Sequence, residues 1–164
     1  SGILMLAKKR SALVALHEQI REGRMDKRYV LVVHGAMPKT AKSMAIKQPL
    51  HKYLLPNGER RVKVDPQGQA SHTNFRVLGW SHEGRCTVGE AQLKTGRTHQ
   101  IRVHLRHLGH PLLGDDKYGD AALDKEVHAK RLMLHAHHLM FVHPKTGLKQ
   151  IIESPAPAGF ALEQ

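Results

Sequence analysis

Apolar positions in this chain change their period several times, and each change marks an element. Ile3 to Ala7 is a short apolar run that predicts a strand. Ser11 can cap a helix in which Leu13, Leu16 and Ile20 fall at i, i+3 and i+7 and face a core. Gly23 is placed to end that helix, whose opposite side, His17, Arg21 and Arg24, is expected to be solvated. Tyr29 to Val33 lacks any polar alternation and predicts a strand buried on both faces. Residues 38–61 show no clean period; Pro38, Pro49, Pro56, Asn57 and Gly58 predict a loop-rich excursion.

Beyond it Val62 and Val64 alternate with Arg61 and Lys63, and Pro66-Gln67-Gly68 turns the chain. Thr73 to Trp80 and Arg85 to Leu93 predict a hairpin around Ser81-His82-Glu83-Gly84. Arg131 to Val142 and Leu148 to Ile152 predict a second hairpin around Pro144-Lys145-Thr146-Gly147. Between the hairpins, Thr98 can cap a helix running to about Leu108, with Ile101, Leu105 and Leu108 as its buried stripe. Gly109 fits its C′ position and Pro111 prevents continuation. Many strands with two or three helices predict an α+β domain on a mostly antiparallel sheet.

Composition adds a partner class. The 164 residues are one domain's worth of chain, and 40% of them are apolar, enough for a core. The formal charge is +12, from 26 Lys and Arg against 14 Asp and Glu. A polyanion would relieve that self-repulsion, and nucleic acid is the first candidate. A membrane is disfavoured because no long apolar run exists. The single cysteine, Cys86, excludes an internal disulfide and fits a reducing compartment. No secretory signal is visible, because Lys8, Lys9 and Arg10 follow only seven residues.

The densest polar stretch runs from Leu93 to Tyr118. His99, Arg102 and Arg106 share one helical face, and Gly96 and Arg97 stand just before the helix N-terminus. An arginine here can pair bidentately with a phosphate or a carboxylate. Thr95-Gly96-Arg97-Thr98-His99-Gln100 carries more polar groups than a turn requires, which points to function. The 14 histidines invite a metal reading, but His104, His107 and His110, and His135, His137 and His138, lack the spacing of a zinc site. No metal site is expected. Walker-type glycine loops and a Gly-x-Ser-x-Gly elbow are absent, and aromatics are only 4%.

Four groups of residues carry a family resemblance. Thr95-Gly96-Arg97-Thr98-His99-Gln100-Ile101-Arg102-Val103-His104, then Gly109-His110-Pro111, Gly114-Asp115 and Tyr118-Gly119, resemble the signature of the RluA-type RNA pseudouridine synthases. Lys27-Arg28-Tyr29 with Val33-His34-Gly35 resembles a second motif of that family. Gly68, Ser71, Thr73 and Phe75 resemble its Gly-Lys-x-Ser-x-Thr-x-Phe segment, with Gln69 in the lysine place. Leu134-His135-Ala136, His143-Pro144 and Pro155 resemble its final strands. The likeness covers essentially the whole chain. Ala7 to Leu13, His17-Glu18-Gln19 and Asp115 to Asp120 look most like the branch that modifies the bacterial large ribosomal subunit.

The resemblance implies an α+β fold, a mostly antiparallel mixed sheet flanked by a few helices. It implies isomerisation of uridine to pseudouridine in 23S rRNA, no cofactor or metal, a monomer and a cytoplasmic location. Arg102 matches the arginine that pairs with the catalytic Asp, and Tyr29 the tyrosine that stacks on the extruded base. Arg97, His99, Arg106, Lys39 and Lys42 are expected RNA contacts. The family's Asp lies in a His-Arg-Leu-Asp-x-x-Thr-Ser-Gly stretch, whose last two residues match Ser1-Gly2. The expectation is therefore the C-terminal part of a catalytic domain over residues 1–164, without the nucleophile motif and the S4-like RNA-binding domain, and inactive alone. Asp26, Asp65, Asp115, Asp116, Asp120 and Asp124 stand in other motifs. The alternative is a non-catalytic RNA-binding module.

Overall fold

The apolar run at Tyr29–Val33 becomes the middle of a central strand, β1 (Asp26–His34). The structure, a computed structural model, describes residues 1–163. A helix, α1 (Arg10–Arg21), precedes β1. After β1 come β2 (Met44–Ile46), β3 (Leu50–Leu54), β4 (Arg60–Val64), β5 (Thr73–Ser81) and β6 (Cys86–Leu93). Two helices follow, α2 (Gln100–His107) and α3 (Ala121–Glu126), then β7 (Leu134–Val142) and β8 (Lys149–Glu153). Six strands form one sheet in the order β2-β5-β6-β1-β7-β8, and β3 and β4 pair separately. Every strand pair is antiparallel. The expected α+β class and mostly antiparallel sheet are what the structure has.

Both faces of β1 are covered, which is why its sequence does not alternate. On one face Leu31, Val33, Phe75, Val77 and Ala91 pack against Ile101 and Leu105 of α2. On the other, Val30, Val32 and Val88 pack against Leu113 and Phe160. Gly89 keeps the first layer closed: a Cβ there would stand 2.3 Å from the Phe75 ring.

The expected hairpins β5–β6 and β7–β8 form, although β7 starts at Leu134 and not at Arg131. Helix α1 begins earlier than expected, at Arg10 after Lys9, so Ser11 lies inside it and caps nothing. Leu13 is exposed; the buried face is Leu16 and Gln19. Gln19 is a polar residue that pattern reading passes over. Its amide donates to Val142 O at 2.7 Å and accepts from Val142 N at 2.8 Å, fastening the helix to β7 as a strand neighbour would.

Two further expectations need correction. Ile3 to Ala7 forms no strand; Gly2 makes one parallel bridge to Ala136, and Ile3, Met5 and Ala7 pack on Leu16, Met25 and Leu139. The excursion at 38–61 contains β2, β3 and the start of β4. The small β3–β4 sheet buries only Leu50 and Val62, against Val103 and Tyr118, so no alternation was there to read.

Candidate active site

The turn entering α2 is built by Gln100. Its side-chain oxygen accepts from Thr95 Oγ1 at 2.7 Å and Arg97 N at 3.0 Å. Its amide nitrogen donates to His72 O at 3.0 Å and Thr73 Oγ1 at 2.9 Å. Thr73 Oγ1 also bonds His104 Nδ1 at 2.8 Å, and His104 Nε2 meets Gln48 O at 2.9 Å. Thr95, Gln100 and His104 therefore serve the fold, and for Thr95 and Gln100 this corrects the reading of the run from Thr95 to Gln100 as surplus to a turn. Burial lowers the pKa of His104, opposed by its bond to Gln48 O.

The expected cap residue, Thr98, makes no cap. The residue before α2 is His99, held in the left-handed region at φ 52° with no side-chain bond to the helix. Few non-glycine residues adopt that conformation. Here it accompanies a 2.7 Å bond from the ring, Nδ1, to Tyr118 Oη. Burial, with Arg102 nearby, lowers the His99 pKa, so the neutral ring is favoured.

Arg102 finds its carboxylate within this chain. Its Nε and Nη2 donate to Asp115 at 2.9 and 2.7 Å, a bidentate pair. Asp115 also accepts from Lys117 N and Tyr118 N at 3.0 Å each. The Asp115 side chain is 1% exposed and that of Arg102 13%. Burial alone would raise the Asp115 carboxyl, but the Arg102 bonds and the two amides outweigh it and hold its pKa low. Bonding to Asp115 raises that of Arg102 in turn. The guanidinium lies 5.2 Å from the Tyr118 ring centre. Tyr118 Oη accepts from Val62 N at 3.0 Å and ties β4 to the site. Nη1 of Arg102 has no partner among the described residues. Gly114 shapes the loop before Asp115: its φ is +72°, and a Cβ would lie 1.8 Å from Arg131 O.

Tyr29 forms the other wall. In the sheet it stands between Ala91 and Ala136, small neighbours that leave space beside its ring. Burial raises its hydroxyl pKa, and the hydroxyl has no described hydrogen-bond partner. Tyr29, Leu93, Leu132 and Leu134 line a cleft of about 250 Å³ with Arg97, His99, Gln100, Ile101 and Arg102. Four expected site residues, Tyr29, Arg97, His99 and Arg102, thus meet in one cleft. The other three do not line it. Arg106 is exposed further along α2, and Lys39 and Lys42 lie on the exposed connection from β1 to β2. No carboxylate lines the cleft among the described residues.

Ser1 sits against this wall. Its amino group donates to Leu134 O at 3.0 Å, its carbonyl accepts from Ala136 N at 2.8 Å, and its hydroxyl meets His135 Nδ1 at 2.8 Å. A Cβ on Gly2 would stand 2.2 Å from Ala136 O, so only glycine passes here. His135 Nε2 reaches Ser154 O at 2.9 Å and His137 reaches Glu90 at 2.9 Å, which gives these histidines ordinary hydrogen-bonding work. Asp115 and Tyr118 were part of the motif read in the sequence, but their roles depend on a loop closure that spacing does not show.

Comparison with known proteins gives the family of the chain. Residues 1–107 match the family model described as RNA pseudouridylate synthase. The chain is 48% identical over 158 residues to ribosomal large subunit pseudouridine synthase C of Haemophilus ducreyi, covering 94% of the chain and 48% of that relative. It is 44% identical over 164 residues to the protein of the same name from Escherichia coli K12, covering 97% of the chain and 50% of that relative. The chain spans about half the length of the curated relatives it matches. Among solved structures, human RNA pseudouridylate synthase domain containing 1 superposes with a TM-score of 0.71 at 26% identity, over 92% of this chain and 62% of that one. Human RNA pseudouridylate synthase domain containing 4 shares the fold, with a TM-score of 0.65 at 21% identity over 93% and 66%. The chain belongs to the RNA pseudouridylate synthase family.

Proposed function

We propose that this protein takes part in isomerising uridine to pseudouridine in RNA, with 23S rRNA of the large ribosomal subunit as substrate. The single observation that carries the reading is the cleft in which an aromatic ring faces an arginine pinned by a buried carboxylate. The names of the relatives, which are large-subunit enzymes, support the substrate.

The reaction breaks the bond from ribose C1′ to uracil N1 and forms one from C1′ to C5. Two tasks fall to groups of this chain. A base taken out of its stack needs an aromatic floor, which Tyr29 supplies between Ala91 and Ala136. The attacking carboxylate must stay ionised, and a cation beside it does that. Nη1 of Arg102 is the group free to do so, because Asp115 occupies the other two nitrogens. The C5 proton must leave once the C1′–C5 bond has formed; the Tyr29 hydroxyl, which burial keeps protonated, relays it by taking the C5 proton as it passes its own to solvent at the mouth of the cleft. The carboxylate itself is assigned by resemblance to the His-Arg-Leu-Asp stretch leading into Ser1-Gly2. The Ser1 carbonyl accepts from Ala136 N, next to the cleft wall at Leu134, which supports that assignment. With no carboxylate among the described residues that line the cleft, the 164-residue chain is expected to be inactive alone. The residues that line the cleft provide stacking, charge and proton exchange without calling for a metal or cofactor.

Arg102→Ala or Tyr29→Phe in a catalytically active protein containing this chain should abolish pseudouridine formation on large-subunit rRNA, read by tritium release from C5. Near-normal yield from either variant overturns the site. Pseudouridine formation by the isolated 164 residues would overturn the assignment of the carboxylate.

A further inference from the structure

A second groove adjoins the cleft and shares Arg97 with it. It encloses about 350 Å³ between α1 and the turn before α2. Its basic groups are His17 and Arg21 from the helix and Lys94 and Arg97 from the turn, and no acid among the described residues lines it. His17 and Arg21 are four residues apart and so share one helical face. Ile20 is the floor: the Cβ position of Gly96 lies 3.9 Å from Ile20 Cδ1, so the turn rests on the helix. These charges are largely free. Arg21 meets Glu18 only at 3.9 Å, with side chains 68% and 50% exposed, a contact of little strength. No described carboxylate pairs with His17, Lys94 or Arg97. The Nε of Arg97 donates to Ala70 O at 3.1 Å, which orients the guanidinium at the point where groove and cleft join.

We infer that this groove carries the RNA backbone flanking the target nucleotide, its phosphates lying on Arg97, Lys94, Arg21 and His17. The inference rests on the proposed function and adds the path of the strand to it. A base inserted between Tyr29 and Arg102 leaves its phosphates at the mouth of the cleft, where Arg97 stands. The next cations available to a strand leaving that mouth are those of the groove. An acidic protein segment would match the charge, but nothing would bring it to the cleft that a flipped base must enter. The contacts are to phosphate, so they set position and affinity and leave sequence choice to other groups.

The test compares two double charge reversals in this chain, R21E/K94E in the groove and K130E/K149E at exposed positions away from it. Binding of a short stem-loop rRNA fragment is followed by fluorescence anisotropy from about 50 to 200 mM salt. The groove pair should weaken binding about tenfold or more and lower the salt slope by about two, while the remote pair changes affinity less than about threefold. Equal losses from both pairs would mean net charge alone and would overturn the inference. R21Q/K94Q guards against misfolding: it should show a smaller loss in the same direction, and unchanged affinity would again overturn it. The functional reading fails separately, through an active Arg102→Ala variant, and leaves this binding result standing.

Discussion

The two walls of the cleft are built on opposite plans. The α2 wall is polar and, apart from Nη1 of Arg102, bonded throughout: Arg102 is clamped by Asp115, Asp115 by two backbone amides, Tyr118 by His99 and Val62, and the entering turn by Gln100. The β1–β7 wall is Tyr29 with Leu132 and Leu134, and the Tyr29 hydroxyl is left without a described partner. One wall fixes a charge in place; the other offers a surface and one unused polar group. Substitutions in the first should therefore cost folding free energy, and substitutions in the second should cost function alone.

The sharpest break of that contrast is Asp115→Ala. It leaves the Arg102 guanidinium, 13% exposed, without its counter-charge, and removal of one partner of a buried pair costs about 3–5 kcal/mol. Urea unfolding of this chain measures it, and a loss below about 1 kcal/mol would show the pair to be solvated. The same pair gives the wall an acid limit. The folded Asp115 pKa lies below its unfolded value of about 3.9, so its contribution is present above that pH and is lost as pH falls through the folded value. His99 has a lowered pKa too, so its contribution is present above about 6.5 and is lost as pH falls through its own folded value. Stability should fall in two stages on acidification, and Asp115→Asn should flatten the lower stage only. An unchanged lower stage would assign it to other carboxylates.

Gln100→Ala comes next. It removes four hydrogen bonds that close the turn and strands the Arg97 amide, while the Thr73 hydroxyl keeps His104. The expected cost is about 1–3 kcal/mol. Protection of the Arg97 amide from hydrogen exchange should fall with it, and full retention of that protection would mean another acceptor closes the turn.

These two walls were not equally legible in the sequence. Tyr29 stood out as an aromatic at the start of an apolar run, but a role beyond the core came only from the resemblance. Arg102 could be singled out only through resemblance, since Arg97, Arg102 and Arg106 look alike by spacing. Its bond to Asp115 spans a helix end and a loop turned by Gly109 and Gly114, and no local pattern encodes that closure. Gln100 read as surplus polarity, and His104 had no structural role assigned, because their partners, Thr73 and Gln48, lie far off in sequence. In the fold, β1, α2 and both large hairpins followed from period and turn residues. The β3–β4 pair did not, because it buries one residue per strand and uses a neighbour's Tyr118 to complete its core. Patterns report burial against a large surface, and a two-stranded flap has little to report.

The smallest expected change in stability is the most telling about function. Tyr29→Phe keeps the ring that packs against the core layer of Leu31 and Ala91 and removes only a hydroxyl with no described partner. No buried donor is orphaned and no cavity opens, so unfolding free energy should shift by less than about 0.5 kcal/mol. The same change in the active protein should remove turnover while RNA affinity stays near normal, because the proposed stacking needs only the ring. Tyr29→Leu should lower affinity as well, since it removes the aromatic floor but keeps an apolar side chain. If Tyr29→Phe instead destabilised the chain as Asp115→Ala does, the hydroxyl would be structural. The division between a wall that holds charge and a wall that meets the base would then not describe this cleft.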